Sequence, residues 1–300
     1  MVRRILFIIN PASAAVRRWP TFERAARRVE GVTSDHIVTK AVGDAALLAR
    51  KFAPAYDVLA AVGGDGTVSE VANGMLRSRG NQCALGIVPA GTGNDAAAAV
   101  GIRGESHALR LVLAGQPRPM DVIEMICQTG GKPASHYALL FAGVGIVGES
   151  LKRTTRTVKR LCGRRFAYPV GLLRALWSYR APQMRVTFGG RTWERRFLFV
   201  GASNTEQAGG GMRIAPGAEI DDGLLNLNLI GELGRWDALR HLRALCRGRH
   251  IRHPDVQYLV GQDLSVEAEA SLEVAADGEL IGSTPAHFSV KGKALPVLAP

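Results

Sequence analysis

Short apolar runs alternate with amphipathic stretches along the first 119 residues. The apolar runs predict four strands, at Arg3–Ile9, His36–Val38, Asp57–Val62 and Ala84–Val88. The amphipathic stretches predict helices over Thr21–Val29, over Asp44–Phe52, from Thr67 to Leu76 and over Ala96–Val100. Because strands and helices alternate, we expect a Rossmann-like α/β domain over residues 1–119, with a parallel sheet covered on both faces. Residues 291–300 are candidates to return to this domain.

After Pro119 the pattern changes to short strand candidates that are separated by turn residues. They are Met120–Cys127, His136–Ala142, Met184–Phe188, Trp193–Val200, Leu224–Ile230, Val256–Val260, Leu264–Ala268, Leu272–Ala275 and His287–Val290. Three of the turns are predicted at Gly130-Gly131, Gly189-Gly190 and Asp277-Gly278. This pattern predicts a second, mainly antiparallel β-sandwich domain over residues 120–290. Two helical stretches interrupt it, at Ser150–Tyr179 and Trp236–Cys246.

The segment from Asp57 to Val71 combines a strand, a glycine-rich turn and a helix that Thr67 could cap. Glycines allow close approach, and a helix N-terminus offers N–H groups and partial positive charge, so a polyphosphate can bind there. Asp65 is unexpected in such a loop, because a carboxylate facing phosphate is repulsive unless a cation or a proton intervenes. A second loop, Gly91-Thr92-Gly93-Asn94-Asp95, follows the next strand. Ligands of parallel sheets bind beyond the carboxyl ends of the strands, where Asn10 and Thr39 would also lie.

Composition and charge narrow the class of partner. The 300-residue chain is 47% hydrophobic and carries a formal charge of +12, and no acidic residue occurs from Ser150 to Trp193. This charge predicts an anionic partner, which the residues alone leave open among nucleic acid, a phosphate-bearing ligand and an anionic membrane. No apolar run approaches the ~20 residues of a membrane span, and we expect neither a signal peptide nor export from the cytoplasm. The four cysteines are widely spaced, so we predict reduced thiols without zinc or disulfides.

Two other glycine motifs would indicate a different kind of nucleotide site. The chain has no Walker-type Gly-x-x-x-x-Gly-Lys-Ser/Thr loop. Gly143, Gly145 and Gly148 match the dinucleotide fingerprint, but the acidic residue that should follow ~20 positions later for the ribose is absent. An oxidoreductase is therefore disfavoured, and we interpret these glycines as a tight turn at a domain cleft.

Several motifs occur together in a specific order. They are Asn10-Pro11, Gly63-Gly64-Asp65-Gly66-Thr67, Gly91-Thr92-Gly93-Asn94-Asp95, Gly209-Gly210-Gly211-Met212, Asp222-Gly223-Leu224-Leu225 and Asp277-Gly278-Glu279. Over nearly its whole length the chain thereby resembles the diacylglycerol kinase-like lipid kinases, whose catalytic domain sphingosine kinases share. The chain departs from the family pattern at Ala14 and Ala15, at Ser69, and in the alanine-only helix after Asp95.

The resemblance implies roles for individual residues. The residues that would hold ATP are Asn10, Thr39, Gly63, Gly64, Asp65, Gly66, Thr67, Val68, Ser69 and Thr92. Asp65 would act near the phosphates and Mg²⁺, and Glu279 would be the general base for the lipid hydroxyl. A structural Mg²⁺ would be bound by Asp222 and by the main-chain carbonyls of Glu219 and Leu224, since oxygen ligands suit this ion. Without the resemblance, Asp277-Gly278 would be only a hairpin turn and the 219–224 segment only a polar turn.

We therefore predict an ATP-dependent lipid kinase that phosphorylates a hydroxyl of a diacylglycerol-like, phosphatidylglycerol or sphingoid lipid. Nucleotide would lie in the cleft between the domains, and the lipid hydroxyl would enter beside Gly143–Gly148 and Glu279. The alternatives are an NAD kinase and a non-catalytic protein that binds nucleotide or anionic lipid. We expect cytoplasmic protein in peripheral contact with anionic membranes through Lys152, Arg153, Arg156, Lys159 and Arg160. Nucleic acid is not an expected partner, and a homodimer stays open.

Overall fold

A computed structural model describes residues 2–13, 19–80, 83–153, 163–246, 249 and 253–300; the side chains of residues 163–170 and 245–246 are outside this description. The chain divides into two compact units. The first unit comprises residues 1–120 and 293–300, and the second comprises residues 121–292.

The first unit is built on parallel strands. Their bounds are β1 (Arg3–Ile9), β2 (Val32–Val38), β3 (Val58–Gly63) and β4 (Ala84–Pro89). They pair in the order β2-β1-β3-β4, and the end of the long strand β16 (Glu279–Leu298) joins β4 in parallel through Val297 and Leu85. Strands β3 and β4 are buried throughout, because they lie inside this order, whereas β2 is at its end and alternates between half-buried and exposed residues. All four strands point their carboxyl ends to one edge.

Five helices of the described chain belong to this unit. They are α1 (Trp19–Ala26), α2 (Asp44–Phe52), α3 (Asp65–Leu76), α4 (Asp95–Ala99) and α5 (Glu105–Ala114). A short 3₁₀ turn, Ala53–Ala55, follows α2. Helix α2 packs closely on α3, since a Cβ on Gly74 would overlap the carbonyl of Ala46. The hydrophobic pattern had predicted four of these helices, but it had not predicted α5.

The second unit consists mainly of strands. In chain order they are β5 (Pro117–Thr129), β6 (Lys132–Ala138), β7 (Phe141–Gly145), β8 (Gln183–Phe188), β9 (Arg191–Ser203), β10 (Gln207–Ala208), β11 (Met212–Arg213), β12 (Leu225–Gly231), β13 (Val256–Gly261), β14 (Asp263–Ala268), β15 (Glu273–Ala276) and the first part of β16. The pairs β5–β6, β7–β9, β7–β15, β8–β9, β8–β14, β9–β12, β10–β11, β12–β13, β14–β16 and β15–β16 are antiparallel. The β-rich second unit confirms the change of pattern seen in the sequence. Its core contains Phe197, Leu227 and Phe288, all almost fully buried.

Three two-residue turns close hairpins in this unit, as the sequence predicted. Gly130-Gly131 joins β5 to β6, Gly189-Gly190 joins β8 to β9, and Asp277-Gly278 joins β15 to β16. Both residues of every turn have positive φ, including Asp277 at 47°. Positive φ at both central residues is the requirement of the type I′ turn, whose twist matches that of the two strands it joins.

Three helices complete the described part of the second unit: α6 (Ile146–Arg153), α7 (Gly163–Ser178) and α8 (Arg235–Cys246). The predicted tight turn over Gly143–Gly148 is confined to the junction of Gly145, at φ 111°, with Ile146, because β7 runs to Gly145 and α6 begins at Ile146. Gly143 instead allows close strand packing, since a Cβ there would lie 2.7 Å from the carbonyl oxygen of Val200. The range Ser150–Tyr179, predicted as one helix, includes the last residues of α6 and the whole of α7. Arg156, Lys159 and Arg160 lie outside the described residues.

Candidate active site

Polar residues of the first unit meet where its parallel strands end. Asn10 follows β1, and its side-chain amide donates to the hydroxyl of Thr67 over 3.0 Å while its Oδ1 accepts from the N–H of Ala12 over 2.9 Å. Thr39 follows β2, and both its N–H and its hydroxyl donate to the carbonyl of Ile9, at 2.9 and 3.3 Å. Asn10 and Thr67 are therefore in direct contact, whereas the buried hydroxyl of Thr39 is bound to main chain and holds the adjoining loop in place.

Two glycine loops touch each other through their main chains. A Cβ on Gly91 would overlap the Cα of Gly64, and a Cβ on Gly64 would lie 3.2 Å from the Cα of Gly91. Gly63 is also constrained, because a Cβ there would overlap the side chain of Thr67. Larger residues at these positions would separate the loops, so glycine is required by close approach.

The helix α3 starts three residues earlier than a cap at Thr67 predicts. It begins at Asp65 with Gly64 as N-cap and no side-chain cap, so Thr67 is not the cap. The hydroxyl of Thr67 is buried and accepts from Asn10 instead. Gly66 and Val68 belong to the first turn of α3, where Val68 is buried, and Ser69 is half-buried with its carbonyl accepting from the side chain of Asn73. Any contact of this turn with a phosphate would therefore come chiefly from main-chain N–H groups.

Asp65 connects the two loops. Its Oδ1 accepts from the main-chain N–H of Ala96 over 3.0 Å. Burial raises the pKa of this carboxyl above its ordinary value; the bond from Ala96 opposes the shift, and the negative charge of Asp95 adds to it. Two acidic side chains are thus close enough to repel, at a position where a cation would relieve the repulsion. The sequence analysis predicted no role for Asp95.

The second glycine loop is locked by its own asparagine. Asn94 is in the left-handed region at φ 59°, its Oδ1 accepts from the N–H of Gly91 over 2.9 Å, and its Nδ2 donates to the carbonyl of Gly91 over 3.0 Å. Thr92 lies exposed between them, and a Cβ on Gly93 would lie 2.8 Å from Oδ2 of Asp65. The loop is therefore rigid at its base and presents Thr92 at its tip.

A cavity of about 720 Å³ lies on the α4–α5 side of this loop. Its lining includes Gly91, Gly93 and Asn94, together with Arg103 and Glu105 near the start of α5. None of Asn10, Thr39, Asp65 or Thr67 lines it. The cavity therefore adjoins the second glycine loop, while Asn10, Thr67 and Asp65 lie outside its lining.

In the second unit, Asp277 fixes the hairpin that carries Glu279. The carboxylate of Asp277 accepts three main-chain N–H groups, from Leu139 at 2.8 Å, Leu140 at 3.0 Å and Phe141 at 3.1 Å. Glu279 is exposed and is the first residue of β16, directly after the turn. Asp277 is thus more than the turn former that the sequence indicated, because it also anchors the turn to the connection between β6 and β7.

The predicted metal ligands Glu219, Asp222 and Leu224 lie in one loop before β12. Oδ1 of Asp222 accepts from the N–H of Leu224 over 2.9 Å, and Glu219 is exposed. The loop is organised by Asp121, whose Oδ2 accepts from Gly223 over 2.6 Å and whose N–H donates to the carbonyl of residue 220 over 2.7 Å. Within the described ranges, no group of three or more His, Cys, Asp or Glu side chains could hold a metal ion. That search concerns side chains alone, whereas two of the three predicted Mg²⁺ ligands would be main-chain carbonyls, so the predicted Mg²⁺ site stays a prediction.

A chain of hydrogen bonds connects this loop with Asp277. Asn204 is fully buried, and its Nδ2 donates to the carbonyl of Asp121 over 2.7 Å and to that of Leu139 over 3.2 Å. Leu139 in turn donates to Asp277. The sequence analysis missed Asp121 and Asn204. The signal for Asp121 was a charge inside the apolar run of residues 120–123, where a carboxylate is retained only if it is hydrogen-bonded.

Family models match most of the chain. Residues 4–125 match the diacylglycerol kinase catalytic domain, and residues 143–299 match the YegS C-terminal NAD kinase beta sandwich-like domain. A diacylglycerol kinase of Staphylococcus aureus (strain bovine RF122 / ET3-1) is 30% identical over an alignment of 305 positions, which covers 100% of this chain and 93% of the relative. Together these matches extend over both units.

Solved structures show the same fold. A putative diacylglycerol kinase from Bacillus anthracis str. Sterne has a TM-score of 0.79 and 22% identity, and the match covers 99% of this chain and 98% of that one. Yeast NADH kinase complexed with NADH is a more distant neighbour, with a TM-score of 0.54, 9% identity, and coverage of 100% and 84%. No helix in the described part of the chain is long and apolar enough to span a bilayer.

Proposed function

Because the chain belongs to the diacylglycerol kinase family, it is an ATP-dependent lipid kinase, and we propose which of its residues carry the phosphoryl transfer. The observation that carries the proposal is the contact between the Gly64 and Gly91 loops, across which Asp65 is bonded to Ala96. Such paired loops suit polyphosphate, since main-chain N–H groups and a helix N-terminus can face the anion without side chains in the way.

ATP would be held in the first unit by the residues that surround these loops. The N-terminus of α3 carries partial positive charge, and its first turn has no side-chain cap, so its N–H groups suit a phosphate. The hydrogen bond between Asn10 and Thr67 would hold the first turn of α3 beside the end of β1. Thr92 would contact the ligand from the tip of the second glycine loop, and Thr39 would position the loop after β2. Gly66 and Ser69 would complete the first turn.

Asp65 and Asp95 would hold Mg²⁺ together with phosphate oxygens of ATP. Oxygen ligands from one or two carboxylates, completed by phosphate, are the usual environment of this ion in phosphoryl transfer. When bound, Mg²⁺ would neutralise charge on the transferred phosphate. The fit rests on the two carboxylates themselves, since Asp65 begins α3, Asp95 begins α4, and Oδ1 of Asp65 is bonded to the N–H of Ala96. Burial raises the pKa of Asp65 and the Asp95 charge adds to the shift, so a cation between the two carboxylates would remove that repulsion.

Glu279 would accept the proton of the lipid hydroxyl. It is exposed at the start of β16, and Asp277 fixes the preceding turn by three hydrogen bonds, so the carboxylate extends from a rigid support. General-base catalysis by a positioned carboxylate typically contributes about 10²–10⁴-fold. The structural Mg²⁺ at Glu219, Asp222 and Leu224 would stabilise the loop that Asp121 already organises.

We propose a diacylglycerol as the acceptor, since the relatives that match over the full chain carry that name. The NADH kinase likeness is one of fold, and its 9% identity supports no transfer of substrate. Peripheral contact with anionic membranes, a homodimer and nucleotide binding in a domain cleft all stay predictions. So do the domain bounds 1–119 and 120–290.

The test is phosphate transfer from radiolabelled ATP to diacylglycerol, phosphatidylglycerol, a sphingoid base and NAD, each with and without Mg²⁺. We expect label in diacylglycerol and loss of transfer when Mg²⁺ is chelated. Transfer only to NAD, or to none of the four, would contradict the proposal. Substitution of Asp65 in the same assay tests the assignment to the first-unit loops.

A further inference from the structure

Among the described side chains of α7, two large apolar residues are exposed beside Arg174 and Ser178. Ala175, Leu172 and Leu176 point inward and pack in a core with Phe199 and Ile230. On the opposite side, Leu173 is 42% exposed and Trp177 is 54% exposed. These two residues are four positions apart, so they lie on one helical face. A solvated helix would normally carry polar residues on this face.

Helix α8 carries a second exposed tryptophan, next in the chain to an arginine that lies over Trp177. Trp236 is 76% exposed, and the neighbouring Arg235 places its guanidinium carbon 5.9 Å from the ring centroid of Trp177. The two helices are in contact. Leu173, Trp177 and Trp236 are called the α7–α8 patch below. Two large exposed indoles on helices that touch, one of them under an arginine, are more than the scattered single apolar residues of an ordinary surface.

The rim of the α7–α8 patch is basic. Four exposed arginines belong to the described parts of the two helices: Arg174, Arg235, Arg240 and Arg243. The acidic residue of the two helices is Asp237, which is 3.6 Å from Arg240. By contrast, Lys152 and Arg153, the described members of the predicted basic stretch, form ion pairs of 2.7 Å with Glu273 and Glu149. Positive charge available to an anionic surface is therefore better placed at α7–α8 than at the end of α6.

We infer that the α7–α8 patch docks the protein on an anionic phospholipid bilayer, with Trp177 and Trp236 at the headgroup level and the arginines on lipid phosphates. Tryptophan is enriched at membrane–water interfaces, since its ring is apolar and its N–H stays hydrated. Each nearby basic residue adds attraction to an anionic leaflet. The inference rests on the proposed lipid acceptor, which is a bilayer component. It adds an apolar anchor to the purely electrostatic contact predicted from the sequence.

The test is sedimentation of the full chain with vesicles of equal parts phosphatidylglycerol and phosphatidylcholine. Trp236→Ser removes a mostly exposed indole, and Trp177→Ser removes the one under Arg235. We expect each change to raise the half-saturating lipid concentration about ten-fold, because an indole buries a large apolar area. Leu47→Ser is the matched control, since Leu47 is 69% exposed on α2 in the first unit. Circular dichroism establishes that each variant is folded.

Two further measurements separate the outcomes. High salt should weaken binding of the parent but preserve the ratio between parent and Trp236→Ser, because salt screens arginines and not indoles. Brominated phosphatidylglycerol should quench parent fluorescence and quench it less in Trp236→Phe. Equal vesicle binding by parent and both serine variants, or no binding by the parent, would overturn the inference and favour a protein partner for the patch.

The lipid-kinase assignment is tested apart from docking. Phosphorylation of dioctanoylglycerol in detergent micelles does not require a bilayer, so Trp236→Ser should retain parental turnover there. A loss of turnover on micelles by this variant would contradict a role confined to docking. If the parent phosphorylates no lipid at all, the proposed function fails while the vesicle measurements still decide the patch.

Discussion

The carboxylate of Asp65 accepts a hydrogen bond from the main-chain N–H of Ala96 over 3.0 Å, although Asp65 begins α3 and Ala96 lies in the first turn of α4. Asparagine at position 65 keeps an oxygen for this bond but removes the charge that would hold Mg²⁺. We expect Asp65→Asn to keep the fold and lose most turnover. The measurement is kcat at saturating ATP and Mg²⁺, with a thermal melt as control. Parental turnover would contradict the role of Asp65.

The same variant has a pH signature. The pKa of Asp65 is raised on folding, mainly by burial, so the folded state holds this proton more tightly than the unfolded chain. Ionisation of Asp65 therefore lowers stability as pH rises through the raised pKa. We expect the stability of Asp65→Asn relative to the parent to increase from acid to neutral pH. Parental turnover, which needs the carboxylate, should decline as pH falls, because protonation removes the charge that would hold Mg²⁺. Denaturant titrations at several pH values check the first trend.

Glu279→Gln separates catalysis from binding. Glutamine keeps the shape of the side chain and removes the proton acceptor. We expect kcat to fall by about 10²–10⁴-fold while ATP affinity stays within a few-fold, since a base acts mainly in the transition state. ATP titration and turnover on diacylglycerol provide both values. If kcat is unchanged, Glu279 is not the base and Asp65 becomes the leading candidate.

Asp277→Asn should affect the support of Glu279. The Asp277 carboxylate accepts three N–H groups, and an asparagine would turn its own NH₂ toward at least one of them. We expect a loss of about 1–3 kcal/mol in the free energy of unfolding, the usual result of leaving a buried donor unpaired. Urea unfolding measures it, with Glu279→Gln as the neighbouring control that should be near parental stability. Equal stability of the two variants would show that the three bonds contribute little.

Gly91→Ala tests the contact between the two glycine loops. The new methyl group would overlap the Cα of Gly64, whereas the methyl group of Gly64→Ala would be 3.2 Å from the Cα of Gly91. We therefore expect Gly91→Ala to weaken ATP binding more than Gly64→Ala does, with destabilisation of about 1–3 kcal/mol from the overlap. Calorimetric titration with ATP and Mg²⁺ measures the affinities. The reverse order would refute the contact as the reason for glycine.

Asp222→Asn tests the predicted structural Mg²⁺. Asparagine can still accept the N–H of Leu224 and preserve the turn, but it is a weaker ligand for a hard cation. We expect Mg²⁺ to raise the melting temperature of the parent more than that of the variant, because a ligand bound only to the folded state stabilises it. The melts are run without nucleotide, so that the first-unit site contributes least. An identical Mg²⁺ response would exclude Asp222 as a ligand.

The local pattern of residues was enough to predict several strands and turns of this protein. The apolar runs at Arg3–Ile9 and Ala84–Val88 and the turn pair Gly130-Gly131 correspond to β1, β4 and a hairpin, since their hydrophobicity and backbone demands are properties of neighbouring residues. The order of the glycine and carboxylate motifs likewise indicated the family, which the relatives and family models confirm.

Other features depended on residues far apart in the chain. Thr67 looked like a helix cap, but its hydroxyl is bound by Asn10, 57 residues away, and the helix begins at Asp65. Gly143 looked like a turn, but it lies in a strand where close packing on β9 excludes a side chain. Local propensity cannot show either contact, because each depends on which strand lies beside which.

The roles of Asp277 and Asn204 were decided by tertiary structure alone. Asp277 matched a turn by its own sequence, yet its carboxylate gathers three N–H groups from residues 139–141. Asn204 had no motif, and it joins the carbonyls of Asp121 and Leu139. Sequence determines which polar groups will be buried among apolar neighbours. Only the folded chain decides which partners satisfy them, because hydrogen bonds require donors and acceptors within about 3 Å and the intervening chain can bring many candidates there.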